Sequence, residues 1–358
     1  MAITMKEIAR LAGVSQPAVS AVLNGSETIK VSKERRKKIL DLIREYNYAP
    51  NNAAQRLKGG ASNTIGVFGV PYVSEISQAQ LLATSLELEK NGYNLLSCYG
   101  DVGTEKNAIR AMIAKGVDGI IVTTQDCPID RCKIDVPYVH VPPCRCDSCD
   151  AAIDHRAGFF EMADYLIRHG SRRIAFIGIN RLDETNVEEP DFEKYHGIVD
   201  ALNHNGLPID PQLCFSHAAA DYEESKLWAM MQSARPDAIC CANDYLASRL
   251  ILFLQSHGVR IPEDIKVLGY DGLSLVNLIS PQVATASQPI FDEMRFAVEL
   301  LLRRIQNKEE RVPERKLFAP KFYPNRSCGF TPEHDGKLPL CGTYSTIEFD
   351  TKFNKGTE

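Results

Sequence analysis

From Thr64 onward, short apolar runs alternate with longer amphipathic ones, and this rhythm constrains the fold more than any other feature of the chain. TIGVFGV, YNLLSCY, GIIVTT, YVHV, RIAFIGI, DAICCA and IKVLGYD read as strands. ISQAQLLATSLELEKNG, EKNAIRAMIAKG, RAGFFEMADYLIRHG, YEESKLWAMMQS, DYLASRLILFLQSHG and IFDEMRFAVELLLRRIQ read as helices. Strands this apolar are buried on both faces, and parallel neighbours need a crossover helix between them. The predicted class is therefore α/β, with two parallel sheets covered by helices and a cleft between the resulting lobes.

Ligands of open α/β folds sit beyond the carboxyl ends of the strands, so the loops there hold the candidate binding residues. Tyr72 and Ser74 follow the first strand, and Tyr222 precedes a helix. Asn243 and Asp244 end DAICCAND, and Asp271 ends VLGYD. Rings, an amide and a carboxylate together suit a polyol held by paired hydrogen bonds. Asp244 also reads as the N-cap of the helix that follows it.

The first sixty residues differ in charge from the rest. They carry 11 Lys and Arg against 5 Asp and Glu, whereas the whole chain of 358 residues has a net charge of −5. A basic head on an acidic body points to nucleic-acid contact confined to the head. No segment approaches the ~18–20 unbroken apolar residues of a membrane span, and the charged N-terminus does not resemble a secretory signal. The expected compartment is the cytoplasm, where the eleven cysteines stay as thiols.

Within the head, Thr4 stands three residues before Glu7, the spacing of a capping box. Ile8 and Leu11 give that helix an inner face, and Gly13 ends it. Ser15 caps a second helix, with Pro17 in its first turn, where a missing N–H costs nothing. Val19, Val22 and Leu23 form its inner stripe. Gln16, Pro17, Ala18, Ser20 and Ala21 form a stripped outer face that a DNA major groove could accommodate. VSKERRKKILDLIREYNY then reads as a third helix capped by Ser32.

TMKEIARLAGVSQPAVSAVLNG, VSKERRKKI and YNYAPNNAAQRLKGGASNTIGV together resemble the LacI/GalR (lactose/galactose repressor) family of bacterial transcriptional regulators. The resemblance runs from about Thr4 to Cys328. It implies an N-terminal all-α helix-turn-helix head over 1–49 and a hinge helix and linker over 50–62. It also implies a two-lobed, periplasmic-binding-protein-like effector and dimerisation body over 63–328. One lobe would hold about 63–152 and 284–316, the other about 153–283 and 317–328; 329–358 would be a C-terminal extension.

By the same resemblance, Thr4, Ser15, Ser20, Asn24, Tyr48 and Asn51 match positions at phosphates or the groove. Gln16, Pro17 and Ala18 match the base-reading positions, and Ala54, Leu57 and Lys58 match the hinge helix in the minor groove. Leu57 would wedge open a base step there. Asn243, Asp271 and Tyr222 match effector-pocket positions. Pro17 departs from the pattern, as does Lys194, where the family usually has arginine. Pro142 stands near a position where the family often has a pocket aspartate. The resulting expectation is a homodimer that binds a palindromic operator, takes a carbohydrate effector and needs no cofactor.

Cys127, Cys132, Cys144, Cys146 and Cys149 crowd into 23 residues. They raise the alternative of a metal- or redox-sensing regulator. A solute-binding protein of similar lobed design is a second alternative, which the basic head opposes. No HExxH pair, GxSxG elbow or phosphate-binding glycine loop is present to support an enzyme.

Overall fold

Thr4 caps the first helix, α1 (Met5–Ala12), by accepting from the Glu7 N–H at 3.3 Å, while Glu7 accepts from the Thr4 N–H at 2.8 Å. Gly13 ends it in the left-handed conformation at φ 67°, which costs glycine nothing. The Ser15 carbonyl opens α2 (Gln16–Leu23) by accepting from the Ala18 and Val19 N–H groups. The Ser32 hydroxyl caps α3 (Lys33–Glu45). Ile8, Val19 and Ile39 are fully buried together at the centre of this three-helix unit. Each contributes about 1.5–3 kcal/mol by leaving water.

This computed structural model describes residues 3–23, 29–48, 61–69, 74–100, 104–129, 135–179, 190–216, 224–307 and 312–331. Asn24, Asn51, Ala54, Leu57, Lys58, Tyr72, Cys132, Tyr222 and the extension beyond 331 lie outside them. The chain divides into two compact units between Ser62 and Asn63.

The second unit contains both expected sheets. In the first lobe, β1 (Thr64–Gly69), β2 (Asn94–Tyr99), β3 (Gly119–Val122) and β4 (Tyr138–His140) form a parallel sheet in the order β2-β1-β3-β4. Helix α4 (Glu75–Lys90) follows β1, and α5 (Glu105–Ala114) follows β2. In the second lobe, β6 (Ile174–Gly178), β7 (Cys214–Ser216), β8 (Ala238–Cys241), β9 (Lys266–Asp271) and β10 (Ala284–Ser287) are parallel. β12 (Lys321–Tyr323) closes one edge antiparallel to β10. Helices α6 (His155–Arg168), α7 (Pro190–His204), α8 (Glu224–Ala234) and α9 (Asp244–Ser256) belong to this lobe.

The chain crosses between lobes three times: through 141–154, at 288–289 and through 312–320. β5 (Ala151–Ile153) and β11 (Lys316–Phe318) pair in parallel along the first and third crossings. α10 (Ile290–Asn307) starts at the second and packs on the first sheet through Met294, Val298 and Leu301.

One expected boundary is corrected. Residues 284–287 belong to the second lobe, because β10 pairs with β9 there. Its sequence, ATAS, is too small and polar to read as a buried strand, so the crossing was expected four residues early.

Candidate functional site

A cavity of about 320 Å³ lies between the two lobes of the body. Gly69 and Thr123 bring to it the ends of β1 and β3, and Asn243 and Asp271 bring the ends of β8 and β9. Ser74, Pro142 and Lys194 line it too, so every described residue proposed for effector contact reaches the same space. Ser74 also caps α4, accepting from the Ser77 N–H at 3.1 Å.

Asn243 and Asp244 divide their duties differently from the expectation. Asn243 is the N-cap of α9, its Oδ1 accepting from the Leu246 N–H at 2.8 Å. Asp244 is already helical and buried. It accepts from Thr285 Oγ1 at 2.6 Å and from the Leu273 N–H at 2.7 Å. Gly269 makes room for it, since a Cβ there would collide with the Asp244 carboxylate. Asp244 therefore fixes the loop after β9, which carries Asp271, to the adjoining strand. Burial and the charge of Asp271 push its carboxyl well above the usual range.

Asp271 sits at φ 106°, a conformation in which only Gly, Asn and Asp are at ease. It accepts from Gln288 Nε2 at 2.7 Å, and burial raises its carboxyl to about 6 against the opposing pull of Lys194. Lys194 Nζ donates to the Ala242 carbonyl at 3.0 Å, lies 3.4 Å from Asp191 Oδ1 and stands 5.2 Å from the Tyr270 ring centroid. Its charge thus ties α7 to the end of β8 at the edge of the cavity.

Three lining groups, His155, Gln288 and Glu293, were not among the expected effector contacts. His155 shares its ring nitrogens with the Tyr270 hydroxyl at 2.6 Å and the Pro143 carbonyl at 2.8 Å. Because a carbonyl only accepts, Nε2 carries the proton and Nδ1 accepts from Tyr270. Burial lowers this imidazole to about 3, so it stays neutral. Gln288 escaped notice because its strand did. Glu293 is buried on α10 beside Gln80, and its Oε2 has no hydrogen-bond partner among the described residues. It falls three residues after Ile290, on the apolar stripe of the helix, which was the available signal.

Burial raises Glu293 to about 8 from an ordinary value of 4.5. Between those values the folded protein keeps this proton and the unfolded chain releases it, so stability falls as pH rises through the window. Glu293→Gln is expected to flatten that fall, read as melting temperature against pH, with little change below pH 4.5.

The cavity is also bridged at its rim. Ser274, on the loop after β9, donates its N–H and its hydroxyl to Glu75 at the start of α4, each at 3.0 Å. These bonds span the two lobes.

In the head unit, Ser15 and Pro17 are exposed, and Gln16, Ser20 and Tyr48 are half-buried. Thr4 is exposed and engaged in its cap. Ala18 and Ala21 are buried, so the open face of α2 is narrower than expected, Ala18 being 7 % exposed. Lys33, Arg35, Arg36, Lys37 and Lys38 are all exposed along α3.

The described cysteines do not assemble as a metal-ligand set. Among the described residues, no group of three His, Cys, Asp or Glu is placed to hold a metal ion. Cys127 packs in the apolar cluster around Phe68, and Cys144 is fully buried, its thiol pushed up to about 12 by burial. Cys146 and Cys149 form a separate pair.

Residues 4–51 match the family model "Bacterial regulatory proteins, lacI family", and 163–328 match "Periplasmic binding protein-like domain". The HTH-type transcriptional repressor PurR of Aliivibrio fischeri is 31% identical over 330 residues, covering 88% of this chain and 94% of PurR. The chain belongs to the lacI family. The ribose operon repressor of Haemophilus influenzae is likewise 31% identical over 325 residues, covering 86% of this chain and 93% of that repressor.

Solved structures of transcriptional regulators share the fold. A lac repressor dimer bound to operator and the anti-inducer ONPF superposes with a TM-score of 0.76 at 20% identity, over 92% of this chain and 99% of that one. A CelR–cellobiose complex gives 0.64 at 24%, over 91% and 99%. The protein is a transcriptional regulator with a DNA-binding head and a ligand-binding body. The match over 4–51 removes the solute-binding alternative. No described helix is long and apolar enough to cross a membrane.

Proposed function

We propose that this chain is a cytoplasmic homodimeric repressor, without catalytic activity, that binds a pseudo-palindromic operator and senses a small polyhydroxylated metabolite between its lobes. The observation that carries the effector assignment is the cavity itself. It joins the carboxylate of Asp271, the amides of Asn243 and Gln288 and the hydroxyls of Ser74 and Thr123 to apolar walls from both lobes. That composition suits a sugar, with hydroxyls for the polar groups and C–H faces for the walls. Relatives named for ribose and solved with cellobiose support the same class.

An effector that binds the closed and open lobes unequally changes the spacing of the two hinge segments in the dimer, and only such inequality transmits a signal. A coupling of about 1–3 kcal/mol shifts operator affinity roughly 5- to 150-fold. Reading of the groove falls to Gln16, Pro17 and Ser20, phosphate contact to Thr4, Ser15 and Tyr48, and minor-groove insertion to Leu57.

Two measurements test this. A thermal-shift panel of sugars and nucleobases is expected to stabilise the protein with a sugar; stabilisation by nucleobases alone would reverse the effector assignment. Selection from random duplexes should yield a palindrome whose affinity falls steeply with salt. Leu57→Ala is expected to weaken that site by about tenfold or more while sparing non-specific binding, since unstacking a step is worth a few kcal/mol. Equal loss on both kinds of DNA would remove the wedge.

A further inference from the structure

We propose that Cys146 and Cys149 are a redox-active dithiol, with Cys146 the attacking thiol and Cys149 the resolving one, which a hydroperoxide oxidises to a disulfide within the first crossing between the lobes.

The geometry favours closure. The Cys149 N–H donates to the Cys146 carbonyl at 3.2 Å, so Cys146–Cys149 is a hydrogen-bonded turn. Such a turn holds its end Cα atoms within about 7 Å, and a disulfide needs about 4.4–6.8 Å. The two thiols are near enough for each to shift the other's protonation. Cys146 is half-buried and lines a surface cavity of about 390 Å³, open to a small oxidant, while Cys149 is 1 % exposed behind it. That is the arrangement of an attacking thiol and its resolving partner.

The surroundings activate one sulfur of the pair. Cys146 Sγ lies 3.4 Å from Ser148 Oγ and 3.9 Å from Nδ1 of the buried His140. His140 Nε2 lies 2.9 Å from the Thr124 carbonyl, which assigns a proton to that nitrogen and leaves Nδ1 facing Ser148 Oγ at 3.1 Å and the sulfur beyond it. Burial opposes a charged His140, but its bonds with Cys146 and Thr124 outweigh burial and hold it above its ordinary value. The neighbouring Cys149 thiol, aided by His140 and Ser148, draws Cys146 well below the usual thiol range. Donating toward that thiolate and being buried push Cys149 up. Arg145, Arg156 and Arg315 line the same cavity, each paired with a carboxylate, of Glu193, Asp200 and Asp147 in turn.

The chemistry balances with the peroxide as the named oxidant. Cys146 thiolate attacks one peroxide oxygen; the O–O bond breaks, a sulfenic acid forms, and the expelled oxygen leaves as an alcohol or water with the proton Cys146 had lost. Cys149 then attacks the sulfenic sulfur. The S–S bond forms, the S–O bond breaks, and hydroxide leaves as water with the Cys149 proton. Two electrons pass from the sulfurs to the peroxide.

The location gives the bond mechanical reach. The Cys149 carbonyl accepts from the Arg315 N–H at 3.3 Å, and the neighbouring Asp150 carbonyl accepts from the Lys316 N–H at 3.0 Å. The turn is therefore tied to the third crossing.

Trypsin offers a direct readout on the full chain. Cleavage after Arg145 and Arg156 releases CDSCDAAIDHR, which contains both thiols and no other cysteine. After treatment with hydrogen peroxide and blocking with N-ethylmaleimide, this peptide is expected to lack two hydrogens and carry no label, reversibly with dithiothreitol. Its oxidation should outpace that of half-buried Cys98 by about tenfold or more, because reactivity follows thiolate character. In Cys149→Ser, dimedone should trap a sulfenic acid on Cys146; in Cys146→Ser, the peptide should stay reduced. Full labelling of both thiols in the wild-type chain after Cys98 is oxidised would overturn the assignment, as would linkage of either thiol to a different cysteine.

Discussion

Replacing Arg304 with methionine is expected to lower the stability of the body by about 3–5 kcal/mol, the cost of removing one partner from a buried ion pair. Arg304 is 5 % exposed and Asp150 is fully buried. The guanidinium donates to both carboxylate oxygens, at 2.8 and 3.0 Å, and to the carbonyls of Tyr138 and Val312. Asp150 also accepts from the backbone N–H groups of His140 and Glu314. One pair thus joins α10, the end of β4 and two of the three crossings. Methionine fills the volume and leaves the Asp150 charge uncompensated. Urea unfolding followed by circular dichroism measures the loss; a change below about 1 kcal/mol would place the pair in effectively solvated surroundings. Arg304→Lys should recover only part, because an ammonium cannot match two carboxylate oxygens with a planar fork.

Strand-ends and caps were the readily legible parts of this chain. The Thr4–Glu7 box, the Gly13 stop and the Ser32 cap are local chemistry, and each appears as its spacing predicts. VLGYD and DAICCAND were placed at strand ends by their apolar runs, and both end at the cavity. What sequence did not reveal depends on distant partners. Asp244 looks like a cap because acids often are; only the approach of Gly269 and Thr285 makes it an internal brace. Ala18 looks like a groove-facing residue because it is small, and smallness fits a packed face equally well. β10 and α7 lack a run of large apolar residues, so Gln288 and the surroundings of Lys194 stayed hidden with them. The cysteine spacing suggested a shared ligand set, but Cys127 and Cys144 are absorbed into packing, and among the described cysteines of the cluster the turn from Cys146 to Cys149 remains.

Asp271→Asn is expected to weaken effector binding by about 10- to 150-fold while leaving operator binding intact, since a hydrogen bond to a charged group is worth about 1.5–3 kcal/mol. The choice of asparagine follows from the backbone. At φ 106°, alanine would add strain of about 1–3 kcal/mol and confound a loss of binding with a disturbed loop. Asparagine tolerates that conformation and keeps an oxygen for the 2.7 Å bond from Gln288. What it removes is the negative charge and one acceptor. With burial holding this carboxyl near 6, wild-type affinity should itself fall as pH drops below that value, and the asparagine variant should lose this dependence. Calorimetric titration with the sugar found by the thermal panel, from pH 5 to 8, separates the outcomes. An unchanged affinity and an unchanged pH profile would place effector recognition on groups other than Asp271.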